Sequence, residues 1–436
     1  MMKRVITVLL GVLLGGCAGL AANIQVFSMF LPPLPTLATL PPAPSPSSTP
    51  THLPELETTI PALISNTPAT LEAELSSPVT TSSQPSPTSP TPSLSPSPTP
   101  YLYVQGPVFF PEEINPLTGL PADEPDLLNR RPIAVKVTNF PRSVRPQWGL
   151  SLADHVYEYY IGDDMSRFIG IFYGQDASQV GPVRSARLFD EHIMRLYQAN
   201  FAFGWADDPI LETLLIPELL PRLIVEHADN CPPLCRIGPK YAYNNLYIDT
   251  STVKSYQESR RAENERQTLD GLRFELATPK SGNPGESVFL SYSSVSYHRW
   301  EYDPAAGHYL RYQETKSRLE DQASYAPLTD ALTGAQLSAD NILVLLLPHE
   351  YFYQSSSTEI IDQPITGEGV AFAFRDGQIY PLHWSRPDTQ AMLKFTLPNQ
   401  RPYPLKPGNV WFEIIGESSA ISLQPDGSWD FEFSMP

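Results

Sequence analysis

The runs Ile133-Ala134-Val135-Lys136-Val137-Thr138-Asn139, Val156-Tyr157-Glu158-Tyr159-Tyr160-Ile161 and Phe168-Ile169-Gly170-Ile171-Phe172-Tyr173 decide the fold class of this chain. Each is short and dense in β-branched and aromatic residues, which is the composition of a strand. From Ala186 to Ala199 the period changes. Leu188, His192 and Leu196, and beside them Phe189, Ile193 and Tyr197, recur at helical spacing and predict a helix. Phe201 to Trp205 reads as a further strand, and Thr252 to Arg266 as a helix with a polar face. Strands alternating with helices predict an α/β layer in this part of the chain.

Toward the C-terminus the helical signals fade after about Ser287. Val295 to Tyr302, Tyr309 to Gln313, Ile342 to Leu347, Val370 to Phe374 and Val410 to Ile415 all read as strands. Asp376-Gly377 and Asp426-Gly427 are dipeptides suited to tight hairpins, in which both turn residues take positive φ. Ile342 to Leu347 is too short to span a bilayer and predicts a buried strand. The body therefore divides into a mixed α/β N-terminal domain over 105–280 and a mainly β domain over 281–436, with the boundary falling between 270 and 290.

Toward the N-terminus, Lys3 and Arg4 precede an apolar run from Val5 to Leu14, which is followed by Gly15-Gly16-Cys17. A charged start, a short apolar centre and small residues at the cut predict a signal peptide over 1–17. Its end looks like a bacterial lipobox, which implies lipidation of Cys17 and anchoring to the membrane through the acylated N-terminus. The competing reading is a retained membrane helix, because Ala18 to Leu31 is still largely apolar. Both readings put the body outside the cytoplasm. From Leu31 to Thr99 the chain is mostly Pro, Ser and Thr, so it cannot bury enough apolar surface to offset the entropy of ordering. Residues 18–104 are thus predicted to form a disordered stalk, and its ~70 most Pro-rich residues would reach up to ~200 Å if fully extended.

The chain has 436 residues and a formal charge of -18, with no basic run to reverse it locally. Such a field repels nucleic acid and anionic lipid, so nucleic-acid binding is not expected. A small arginine cluster can still dominate one pocket of an acidic protein. After Cys17 only Cys231 and Cys235 remain, in Cys231-Pro232-Pro233-Leu234-Cys235. In an oxidising compartment this spacing predicts a disulfide. The alternative adds His227 and Asp229 as metal ligands, but the spacing is not that of a standard zinc site and a fourth ligand is not evident. Neither a metal nor a cofactor is predicted.

Several stretches taken together resemble the YerB-like lipoproteins, a family built of two domains of unknown function. In the first half these are Asn115-Pro116-Leu117-Thr118-Gly119, Asn129-Arg130-Arg131-Pro132, Arg145-Pro146-Gln147, Ala153-Asp154 with Val156-Tyr157-Glu158, and Arg167-Phe168. The most specific stretch is Gly181-Pro182-Val183-Arg184-Ser185-Ala186-Arg187, which is followed by Asn245-Leu246-Tyr247. In the second half Phe374-Arg375-Asp376-Gly377, Trp384 and Leu405-Lys406-Pro407-Gly408-Asn409-Val410-Trp411 fit the C-terminal part of the family. The resemblance implies an extracytoplasmic, membrane-anchored protein of α/β fold and supplies no reaction. This chain departs from the family pattern in two places. Asp163-Asp164 stand where the family has a Gly-Gly pair, and Asn244 stands where it has a His before Asn245.

Arg184 and Arg187 flank the turn that leads into the helix near Ala186, where free backbone N–H groups and two guanidinium groups would attract an anion. Arg145 and Arg167 are placed to converge on the same point from neighbouring elements. The competing reading ties these arginines into structural ion pairs with Asp154, Glu158, Asp163 or Asp164. Asp154, Glu158 and Asp164 are the acidic candidates for handling a proton or a cation. Ser185 lacks the Gly-x-Ser-x-Gly surroundings of a nucleophile, and the eight histidines form no paired-ligand helix. Two classes of function follow. The first is a non-catalytic lipoprotein whose body binds an envelope protein or glycan. The second is a transferase or hydrolase acting on an anionic or phosphate-bearing envelope glycan through the arginine cluster.

Overall fold

Ile133, Val135 and Val137 alternate with Ala134 and Lys136, yet all of them are buried, so this strand is covered on both faces. The computed structural model describes residues 106–238, 242–354 and 359–435. The leader, Cys17 and the Pro-rich stalk lie outside the described residues. In chain order the first half forms β1 (Ile133–Thr138), β2 (His155–Tyr160), β3 (Ser166–Phe172), α1 (Leu188–Leu196), β4 (Asn200–Phe203), α2 (Asp208–Leu214), β5 (Leu223–Val225) and α3 (Val253–Ser259). The second half forms β6 (Ser287–Ser291), β7 (Tyr297–Asp303), β8 (His308–Glu314), β9 (Asn341–Leu347), β10 (Gly367–Arg375), β11 (Gln378–Arg386), β12 (Lys394–Thr396), β13 (Val410–Gly416), β14 (Ala420–Leu423) and β15 (Trp429–Glu432). Shorter strands are named by their residues.

The main sheet runs β12-β11-β10-β9-β13-β2-β3-β1-β4-β5. Strand β13 lies parallel to β2 on one side and parallel to β9 on the other. The boundary at 270–290 therefore separates two stretches of sequence but does not divide the sheet, because strands of both halves meet at its centre. A second sheet, containing β8-β7-β6-β15-β14, covers one face. There Val135, Val156, Phe168 and Trp411 of the main sheet pack with Val288, Trp300 and Phe431. On the other face Tyr157, Tyr159, Ile169 and Phe412 pack against α1 through Phe189, Ile193, Met194 and Tyr197. The molecule is mostly strand with few helices, and the α/β layer expected of the first half amounts to short helices on one face of a sheet that both halves build.

The helices end sooner than their periodicity suggests, and for one shared reason. After α1, Gln198 takes φ 48°, its N–H donates to Arg195 O at 3.1 Å, and Ala199 N–H donates to Met194 O at 3.0 Å. After α3, Arg261 takes φ 54°, donating to Glu258 O at 3.0 Å while Ala262 donates to Gln257 O at 3.0 Å. Both are Schellman closures made without glycine, so the usual stop signal is missing from the sequence. The helix expected to run from Thr252 to Arg266 accordingly stops at Ser259.

Asp376 and Gly377 take φ 53° and 72° and join β10 to β11 as a two-residue turn. Asp426 does not follow this pattern. Gly427 alone takes positive φ, at 88°, and the Asp426 carboxylate accepts from Ser428 N at 3.0 Å and Ser428 Oγ at 2.6 Å inside a longer loop. Strand β9 is the buried strand expected of Ile342 to Leu347.

Candidate anion-binding cleft

Strand alternation sorts the polar residues of β1 to β3 onto opposite faces of the main sheet. Lys136, Tyr159 and Arg167 stand on the helix face, and Glu158 and Ser166 on the face covered by the second sheet. Cross-strand register places Arg167 opposite Tyr159 on β2 and opposite Thr138 on β1. The segment Gly181–Arg187 is then laid along β1 and the end of β4. Thr138 N donates to Pro182 O at 3.0 Å, Arg184 N to Lys136 O at 3.0 Å, Gly204 N to Arg184 O at 3.0 Å and Ala186 N to Trp205 O at 2.7 Å. Gly181 is required here. It has φ 150°, and a Cβ would lie 2.8 Å from Val183 N and 2.9 Å from Leu246 O.

This stitching gathers Arg167, Arg184 and Arg187. Arg167 Nη1 donates to Ser185 O at 2.7 Å, and Arg187 Nη1 to Ala186 O at 2.8 Å. The Arg184 guanidinium lies 4.7 Å from the Tyr243 ring centroid, and its Nε is buried without a partner. Among the described residues none of the three forms an ion pair with a carboxylate. Burial pushes the Arg167 pKa down to about 9, and the positive charges of Arg187 and Arg184 add to the shift. Burial also lowers Arg184, with Arg236 and Arg187 contributing.

Beneath them sits a fully buried trio. Lys136 Nζ donates to Asp190 Oδ1 at 3.0 Å and to the Tyr159 hydroxyl, which in turn donates to the same carboxylate. Asp190 Oδ2 accepts from Arg187 N at 2.7 Å at the start of α1. Burial takes the Lys136 pKa down to about 7; Asp190 opposes the shift, and Arg167 and Arg187 assist it. Asp190 pairs with Lys136 and its charge also partly offsets Arg167, but it forms no ion pair with any of the three guanidinium groups.

Of the three, Arg184 lines a cleft of about 200 Å³, together with residues that include Ser185, Trp205, Glu226, Arg236 and Asn245. Arg236 is already matched. It pairs with Glu226, Nη2 to Oε2 at 2.7 Å, and donates to Asn245 Oδ1 at 2.7 Å. Arg236 and Leu246 belong to the two-stranded ribbon of Leu234–Arg236 and Leu246–Ile248, and the predicted Cys231–Cys235 disulfide ties the first of these strands to the chain just before it. With both sulfurs joined, the cysteines are not metal ligands, and His227 Nδ1 instead accepts from Asp229 N at 3.3 Å.

The remaining predicted site residues go elsewhere. Arg145 does not join the cluster. It is buried against Glu314, with Nη2 to Oε1 at 2.8 Å, and bonds Asn139 Oδ1 at 3.0 Å. Asp154 accepts from Asn115 Nδ2 at 2.8 Å, Tyr173 N at 2.6 Å and Gly174 N at 3.0 Å, and burial raises its pKa to about 6 despite these bonds. It ties three segments together near the start of β2. Asp164 sits in the β2–β3 turn at φ 59°, preceded by Asp163 at φ 51°.

Glu158 belongs to a second buried network, between the two sheets, that sequence reasoning did not find. Arg311 on β8 reaches both Glu158 Oε2 and Glu413 Oε1, and Glu413 Oε1 also accepts from His298 Nε2 at 2.9 Å and Trp300 Nε1 at 3.0 Å. Glu158, His298 and Glu413 bring potential ligand atoms within 4.8 Å of one another. The Arg311 guanidinium bonds both carboxylates, so the arrangement is that of a buried ion-pair network, in which His298 Nδ1 alone of these groups has no hydrogen-bond partner. Lys136, Tyr159 and Asp190 were also missed. The available signal was a lysine inside a strand whose other residues are apolar.

The N-terminal domain model of the protein family of unknown function DUF3048 matches residues 117–263, and the C-terminal domain model of the same family matches residues 288–412. A curated relative in Bacillus subtilis (strain 168), named "Putative lipoprotein YerB", is 26% identical over 319 residues, covering 71% of this chain and 88% of its own length. The crystal structure of the YerB protein from Bacillus subtilis superposes with a TM-score of 0.58 at 23% identity, over 69% of this chain and 96% of that one, so the fold is shared.

Proposed function

Because this chain belongs to the DUF3048 family, carrying both of its domains in order, we propose that it is an extracytoplasmic lipoprotein whose body binds an anionic ligand of the cell envelope without transforming it. In this reading the signal peptide ends at Cys17, lipidation of Cys17 anchors the chain to the membrane, and the Pro-rich stalk carries the body away from the lipid surface. The relative named as a lipoprotein supports the anchoring.

The observation that carries the binding reading is the set of three arginines, Arg167, Arg184 and Arg187, that form no ion pair with a carboxylate among the described residues of a protein of net charge -18, with Arg184 lining a cleft. An acidic protein has ample carboxylate to neutralise its arginines, and it does so for Arg145, Arg236 and Arg311. Leaving three side by side without an ion pair costs stability unless an anion completes the set. Asn244, where the family pattern has a histidine, cannot exchange a proton near neutral pH, which favours binding over acid–base catalysis in this chain.

The test is calorimetric titration of the full chain in detergent with inorganic phosphate and pyrophosphate. Binding is expected, weakening with added salt, and the double variant Arg184→Gln/Arg187→Gln should lose it while melting within a few degrees of the parent. Absence of binding to the parent, or a large loss of stability in the variant, refutes the reading.

A further inference from the structure

Trp205 and Tyr243 stand out on a molecule that buries most of its large aromatic side chains. They are 60% and 79% exposed, and both line the same cleft as Arg184. The backbone of Trp205 is anchored beside Arg184, because its carbonyl accepts from Ala186 N at 2.7 Å in the segment that carries the arginines. The cleft thus brings together the Arg184 guanidinium and the exposed Trp205 side chain, with the Glu226 carboxylate and Ser185 beside them.

These are three different recognition chemistries. A guanidinium without an ion pair suits a phosphate. An exposed indole suits the apolar face of a sugar ring. A carboxylate held by Arg236 suits ring hydroxyls, because it accepts hydrogen bonds while its charge is already offset. The volume of about 200 Å³ is below that of pockets that enclose drug-sized molecules, and it matches a single substituted ring. Resting on the anion-binding reading, we infer that the cleft recognises a glycosyl phosphate, with its phosphate toward Arg184 and its pyranose ring against Trp205.

The experiment titrates the full chain in detergent with glucose 1-phosphate, its methyl phosphodiester, inorganic phosphate, glucose and AMP, following heat and tryptophan fluorescence. Glucose 1-phosphate should bind about tenfold or more tightly than inorganic phosphate. Trp205→Ala should erase that advantage and leave phosphate affinity unchanged, Trp205→Phe should restore most of it, and Arg184→Gln should weaken both ligands. A diester that binds more tightly than the monoester would assign the site to a phosphodiester-linked polymer, and the reverse order to a free sugar phosphate; either result upholds the inference. Equal affinity for phosphate and glucose 1-phosphate sinks the glycosyl specificity and leaves the anion site standing. Preference for AMP over the sugar phosphate overturns it in favour of base stacking. Failure of every phosphate ligand to bind removes both readings together.

Discussion

Glu413 accepts from His298, Trp300 and Arg311 on one oxygen and from Tyr292 on the other at 3.2 Å, entirely out of contact with water. Burial raises its pKa, and the Arg311 charge opposes that shift. His298 is driven the other way, well below its ordinary value, by burial and by the Arg311 charge, so it donates through Nε2 as a neutral ring. Arg311 is therefore the cation that makes two buried carboxylates tolerable. Replacing it with Met keeps the bulk and strands Glu158 and Glu413 face to face, which should cost about 3–5 kcal/mol in urea denaturation. A loss below about 1 kcal/mol would show that the carboxylates are otherwise relieved. None of this partnership is legible in the sequence, because Glu158, Arg311 and Glu413 lie far apart along the chain and nothing local marks them as neighbours.

At the scale of elements, the sequence carries strands well and helix ends poorly. The apolar runs that form β1, β2, β3, β9 and β13 are evident because strand identity depends on local composition. Helix termini at Gln198 and Arg261 are hidden because neither residue advertises the left-handed conformation it adopts. The β2–β3 turn shows the same effect with a different outcome. Asp163 and Asp164 both take positive φ where the family pattern has a glycine pair, so the position asks for conformational freedom. Asp163→Gly/Asp164→Gly should therefore raise stability by roughly 0.5–1 kcal/mol, read as a higher melting temperature, although glycine in an unstrained loop usually lowers it. A lower melting temperature would mean that the aspartates make contacts worth more than their strain. The arginine cluster was legible in part. Arg184 and Arg187 announced themselves through the Gly-Pro turn and the helix start, but whether Arg167 joined them depended on strand register, and where Arg145 went depended on a distant partner, Glu314; composition encodes neither.

At the scale of the whole molecule, the order of strands in the main sheet is the feature no local reading reaches. Local patterning separates an earlier from a later half near 270–290, and the family models end and begin at 263 and 288. Yet β13 pairs with β2 along five residues and with β9 along seven, so neither half owns a finished sheet. A polypeptide of 106–280 alone should expose the β2 edge and the face that the second sheet covers, and should show no cooperative melting by near-ultraviolet circular dichroism. Mixed and refolded with 281–436, it should recover a single transition. Cooperative melting of the first piece by itself would contradict the shared-sheet account.

The position of β13 also bears on how the chain matures. Its residues follow β2 and β9 in the chain yet fill the gap between them, so the middle of the barrier between the two cores stays open until β13 has been made. A chain that emerges in order therefore cannot lock its earlier strands into their final sheet before β13 arrives.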